Sequence, residues 1–115
     1  MIKIIIFKDS LENIQRYTIN GHANYAPYGE DIVCASVATL GQVTLLSLVE
    51  ICGIKEEEIL YKVDDDKGYL DVNIPVKLAN TTLNNTQIVL KTFELGVKSI
   101  IEGYPKYVTL EYREV

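Results

Sequence analysis

His22 is the sole histidine of this chain and lies twelve residues before Cys34, one of its two cysteines. The segment between them reads Gly21-His22-Ala23-Asn24-Tyr25-Ala26-Pro27-Tyr28-Gly29-Glu30-Asp31-Ile32-Val33-Cys34. A thiol is a strong nucleophile only as its thiolate, and a nearby imidazole can take up the proton. A helix N-terminus favours the same ionisation through its unsatisfied N–H groups and positive partial charge. Cys34 falls in the first turn of an apolar helical stretch, and His22 in the glycine- and proline-marked loop ahead of it. This placement suits acyl transfer. Cys34 would attack a carbonyl, its own N–H and a neighbour's would receive the oxyanion, and His22 would pass the proton to the leaving amine.

Asp31 admits two roles. As an N-cap it would accept the N–H of the second or third helical residue, the third being Cys34, and stabilise the helix by ~1 kcal/mol. As an orienter it would hold the second ring nitrogen of His22, as in catalytic triads. The negative charge also opposes thiolate formation at close range; the cap role has the edge, and the orienter role stays open. Cys52 is a contrast: it falls at the far end of the helix with no base nearby and reads as core filler. The same bland reading applies to Cys34 from placement alone, since buried cysteine commonly serves as a small hydrophobe.

The elements that would position these groups follow from patterning. Residues 2–8 and 14–20 are short, β-branched runs flanking Asp9-Ser10-Leu11-Glu12-Asn13, which reads as a hairpin. In the second run Ile14, Arg16 and Thr18 share one face, and Gln15, Tyr17 and Ile19 the other. The loop from Gly21 to Glu30 exceeds the usual connection length, which is common in functional loops. A helix is expected from Asp31 to about Cys52, stopped by Gly53. Its wheel gathers Ser36, Thr44, Ser47 and Glu50 on one side and Cys34, Val37, Gly41, Leu45, Leu48 and Cys52 opposite. A second hairpin pairs residues 59–63 with 69–74 around Asp64-Asp65-Asp66-Lys67-Gly68. That acidic turn lacks the frame of an EF-hand and reads as a solvated turn. A second helix over about 81–102 carries Leu90, Phe93, Val97, Ile100 and Ile101 on its apolar side, and residues 106–112 give a closing strand. The order ββαββαβ predicts an α+β fold in one domain, 1–115, with a mostly antiparallel sheet packed with two helices.

Bulk properties narrow the function classes. With 115 residues, 48% hydrophobic and 23% charged, the composition is that of an ordinary globular domain. The net charge of −5, with no clustered basic block, argues against a direct nucleic-acid surface. No secretory signal opens the chain. Residues 32–49 are uncharged and long enough to raise the question of a membrane span, but Ser36, Thr39, Gln42, Thr44 and Ser47 favour a buried central helix and no membrane partner. The two cysteines on one helix would be ~27 Å apart, too far for a disulfide, so free thiols and a cytoplasmic setting are expected. One histidine and two distant thiols cannot close a zinc site, and no phosphate-binding glycine loop is present. No cofactor and no metal are expected.

Gly21-His22-Ala23, Gly29 and Asp31-Ile32-Val33-Cys34-Ala35 together resemble the signature of the ribosomal-processing cysteine protease family. The chain length and the ββαββαβ order resemble that family over essentially the whole sequence. The resemblance implies a cysteine endopeptidase with Cys34 as nucleophile and His22 as general base, Gly21 and Asp31 being part of the motif. It also implies a substrate, the precursor of large-subunit ribosomal protein twenty-seven, whose N-terminal extension is removed at a site with apolar and aromatic residues before the cut and a small residue after it. A homodimer and a mobile loop over the thiol are implied as well; the Tyr25 to Glu30 segment, with Pro27 and Gly29, suits such a lid, and Tyr25 and Tyr28 are candidate specificity residues that the resemblance itself does not name. The family often carries a serine four positions after the cysteine. Here that position is Ala38, with Ser36 and Thr39 the nearest hydroxyls, so no role passes to it. The alternatives are a non-catalytic ribosome-associated assembly factor and a thiol redox sensor, the latter without an evident resolving cysteine.

Overall fold

The structure is a computed structural model describing residues 1–27 and 30–115. Strands β1 (Ile2–Lys8) and β2 (Ile14–Asn20) form the first hairpin, followed by helix α1 (Ile32–Glu50). Strands β3 (Leu60–Asp64) and β4 (Tyr69–Asn73) form the second, followed by α2 (Asn80–Gly103) and β5 (Val108–Glu114). The expected ββαββαβ order is present. The sheet runs β3-β4-β2-β1-β5, antiparallel except for β5, which lies parallel to β1 along Ile2↔Val108 to Lys8↔Glu114. A helix between β4 and β5 supplies the crossover that a parallel pair requires.

Alternation along the strands sets which side-chain faces meet the helices. Ile2, Ile4 and Ile6 of β1, Tyr17 and Ile19 of β2, and Leu70 and Val72 of β4 are buried with Val37, Leu48, Leu90, Phe93 and Val97 in one core. The Tyr17 hydroxyl donates to the Gly41 carbonyl at 2.8 Å, and its ring lies 4.4 Å from that of Phe93. One tyrosine therefore joins β2 to both helices.

Three packing expectations are corrected. Ile14, assigned to the face of Arg16 and Thr18, is fully buried, because the β1–β2 register shifts between Phe7 and Lys8. Its backbone N–H and C=O pair with the Gln87 side chain at 2.7 and 2.9 Å. Thr44, placed on the polar side of α1, is buried, its hydroxyl donating back to the Leu40 carbonyl at 2.7 Å. The helix is not buried all round. Val33, Val37, Gly41, Thr44 and Leu48 face the core, whereas Ile32, Val43 and Leu46 are exposed. At its end Ile51 is the C-cap, and Gly53, at φ +76°, donates its N–H to the Val49 carbonyl, so Cys52 lies buried just beyond the helix.

Candidate active site

The end of β2, the start of α1 and the β3–β4 turn meet at one end of the sheet. They enclose a cavity of about 670 Å3, lined by His22, Asn24, Asp31, Cys34, Ala38, Asp66 and Gly68 among others. Residues His22 and Cys34 thus line one cavity, although twelve positions separate them in sequence.

Asp31 organises the approach. Its backbone is extended, and Oδ1 accepts the N–H groups of Val33 and Cys34, each at 3.0 Å. Its Oδ2 accepts the N–H groups of Tyr25 at 2.9 Å and Ala26 at 3.3 Å. One carboxylate therefore caps the helix that carries Cys34 and ties down the loop that carries His22. Burial pushes this carboxyl up, but the N–H groups of Cys34, Ala26 and Tyr25 outweigh it and hold Asp31 below the usual carboxylate range. Both oxygens accept backbone N–H groups, the Cys34 thiol also helps hold this carboxyl down, and the hydrogen bond of the His22 ring goes to Asp66. The cap role is present in the geometry and the orienter role is not.

The Cys34 sulfur is half-buried and receives the Ala23 N–H at 3.2 Å. The expectation that the Cys34 N–H would bind an oxyanion is corrected, because that N–H is taken by Asp31 Oδ1. Gly21, at φ +103°, passes directly over the first residue of the chain: a Cβ there would stand 2.5 Å from the Met1 carbonyl oxygen. Only glycine accommodates both the turn and this approach.

His22 Nε2 lies 3.1 Å from the backbone carbonyl oxygen of Asp66. Among the described residues no hydrogen bond joins the ring to the thiol. Asp66 and Gly68 belong to the acidic turn that reads from sequence as solvated. A backbone carbonyl leaves no side-chain signature, but the glycine of that turn was a legible signal. Tyr25 stands edge-on to Tyr104 and Tyr107, with ring centroids 5.5 and 5.1 Å apart. Tyr28 and Gly29 lie outside the described residues. Ala38 lines the cavity, whereas the Ser36 hydroxyl donates to the Ile32 carbonyl. Cys52, buried, has its thiol pushed up by desolvation.

Comparison with known proteins matches residues 1–109 to the family Cysteine protease Prp. The chain belongs to the cysteine protease Prp family. It is accordingly a cysteine-type endopeptidase. A protein named ribosomal processing cysteine protease Prp from Staphylococcus aureus is 26% identical over 113 residues, covering 98% of this chain and 100% of that one. The Prp of Bacillus subtilis is 25% identical over 104 residues, covering 90% of each. Among solved structures, a Streptococcus mutans protein superposes with a TM-score of 0.82 at 25% identity, covering 100% of this chain and 96% of that one. The S. aureus Prp crystallised with a covalently linked product peptide has the same fold, with a TM-score of 0.82 at 24% identity and 98% and 100% coverage.

Proposed function

We propose that this Prp-family protease removes the N-terminal extension from the precursor of large-subunit ribosomal protein twenty-seven, using Cys34 as nucleophile and His22 as general base. The observation that carries the reading is the shared cavity, in which the Cys34 sulfur receives the Ala23 N–H and the only imidazole stands on the wall. In the first step His22 takes the Cys34 proton, sulfur attacks the scissile carbonyl, and His22 returns the proton to the departing amine. Water then gives one proton to His22 and attacks the thioester, the C–S bond breaks, the His22 proton returns to sulfur, and the released carboxylic acid gives its proton to solvent.

Ala26, Ala35, Ala38 and Val63 on the cavity wall suit an apolar segment before the cut. A ribosomal protein body is basic, and the net charge of −5 speeds its encounter with this chain. The relatives named for ribosomal processing support the same substrate class. The exposed apolar side chains Ile32, Val43 and Leu46 on α1 support assembly as a homodimer, and the unpaired Cys34 and Cys52 support a cytoplasmic site of action.

The test is cleavage of a peptide spanning the extension. Cys34→Ala should give no product, Cys52→Ala should cleave as the parent does, and His22→Ala should lose about a hundredfold or more. Undiminished cleavage by a folded Cys34→Ala variant would remove the proposal. Binding of the peptide without product by the parent chain would point to an assembly factor instead.

A further inference from the structure

A ring with two nitrogens can hold only one lone pair when neutral, and the surroundings of His22 select which. Nε2 faces the Asp66 carbonyl oxygen at 3.1 Å. A carbonyl only accepts, so the hydrogen of that bond belongs to the ring, and the other nitrogen is left bare. We infer that the β3–β4 turn is the positioning element of the dyad: the Asp66 carbonyl fixes the Nε2–H tautomer, Gly68 seats the ring, and Nδ1 is the nitrogen that takes the Cys34 proton. This inference rests on the His22–Cys34 dyad proposed above.

The turn is built to hold that carbonyl in place. Asp64 Oδ1 accepts the Lys67 N–H at 3.1 Å, and the Asp65 carbonyl accepts the Gly68 N–H at 3.2 Å. The Gly68 carbonyl in turn accepts the Gly21 N–H at 3.0 Å, so the turn also grips the residue that precedes His22. Gly68 adopts φ +62°, and a Cβ there would collide with the Gly21 carbonyl oxygen and stand 3.0 Å from His22 Cε1. The side chain is missing where the imidazole lies.

The alternative orienter, Asp31, is committed to four backbone N–H groups. The carbonyl does the work that a carboxylate does in a triad, without adding charge beside the sulfur. When Nδ1 gains the thiol proton, Nε2–H stays on Asp66, so the ring keeps its orientation in both half-reactions. Protons pass only between Nδ1 and the reacting atoms: from Sγ to Nδ1 to the leaving amine, then from water to Nδ1 to Sγ.

A single histidine makes the test unambiguous. In the full chain labelled with 15N-histidine and 13C at backbone carbonyls, neutral His22 should show Nε2 protonated and Nδ1 bare, with coupling across the hydrogen bond to the Asp66 carbonyl carbon. Gly68→Ala should abolish that coupling, lower kcat by roughly tenfold to a hundredfold with a smaller change in KM, and displace the acid limb of the pH–rate profile. Cys34→Ala should keep the coupling while losing all cleavage. A neutral ring protonated on Nδ1 would overturn the inference, as would a folded Gly68→Ala variant with unaltered coupling and pH profile. If Gly68→Ala fails to fold, the tautomer of the parent chain decides. An active Cys34→Ala variant would instead defeat the dyad itself, whatever the tautomer.

Discussion

Ala23 donates its backbone N–H to the Cys34 sulfur at 3.2 Å. The residue that follows the only imidazole is therefore bonded directly to the thiol. The loop is anchored to the helix start at this point and again at Asp31, so the position of His22 relative to Cys34 depends on short backbone links.

Asp31 is the first of those links to test. Asp31→Ala removes the cap and both loop tethers, and should cost about 1–2 kcal/mol in urea unfolding, the upper part of the range for N-cap loss. Cleavage should fall further than stability accounts for, because the His22 loop is released. The effect also has a pH signature. The folded-state value of this carboxyl is depressed, so its stabilisation is present above the unfolded-state value and is lost as pH falls through the folded one. Stability measured from neutral to acid pH should therefore decline less steeply in Asp31→Asn than in the parent. Equal slopes would contradict the assignment.

Gly21→Ala places a Cβ against the Met1 carbonyl oxygen at a backbone angle of +103°. Both terms are unfavourable, and together they should cost at least about 1–2 kcal/mol in thermal or urea unfolding. Because His22 is the next residue, kcat for the extension peptide should drop at temperatures where the variant remains folded. Parental stability and rate together would show that the chain tolerates a side chain here.

Tyr25→Ala removes two edge-on aromatic contacts, each worth about 0.5–1.5 kcal/mol. The loss should be local. Amide exchange at Ala26 should accelerate while exchange in β1 and β2 stays unchanged. Tyr25→Phe should retain protection, since the contacts are made by the ring. Unaltered exchange in Tyr25→Ala would mean that Asp31 alone holds the loop.

Much of this site was legible in the chain because its chemistry resides in side chains of distinctive type. His22, Cys34 and the N-cap Asp31 are recognisable from identity and spacing, and each helix and hairpin followed from hydrophobic period and turn residues. The remainder depends on backbone atoms. The Asp66 carbonyl comes from a turn 44 residues beyond His22, and any residue type could supply it. Asp31 Oδ2 reaching back to Tyr25 and Ala26 is a tertiary contact that the capping pattern does not encode. The parallel placement of β5 escaped for a related reason: its alternation names a strand, but its partner is set by the α2 crossover. Thr44 was misplaced because a hydroxyl that bonds its own helix can be buried like an apolar group.

The central claim, that His22 activates Cys34, is tested most directly by residue-resolved iodoacetamide labelling across a pH series, in the parent chain and in His22→Ala. Cys34 should label at neutral pH roughly tenfold or more faster than Cys52, whose thiol burial pushes up, and His22→Ala should slow Cys34 while leaving Cys52 unchanged. Equally slow labelling of both cysteines, or a Cys34 rate indifferent to the loss of His22, would contradict the account.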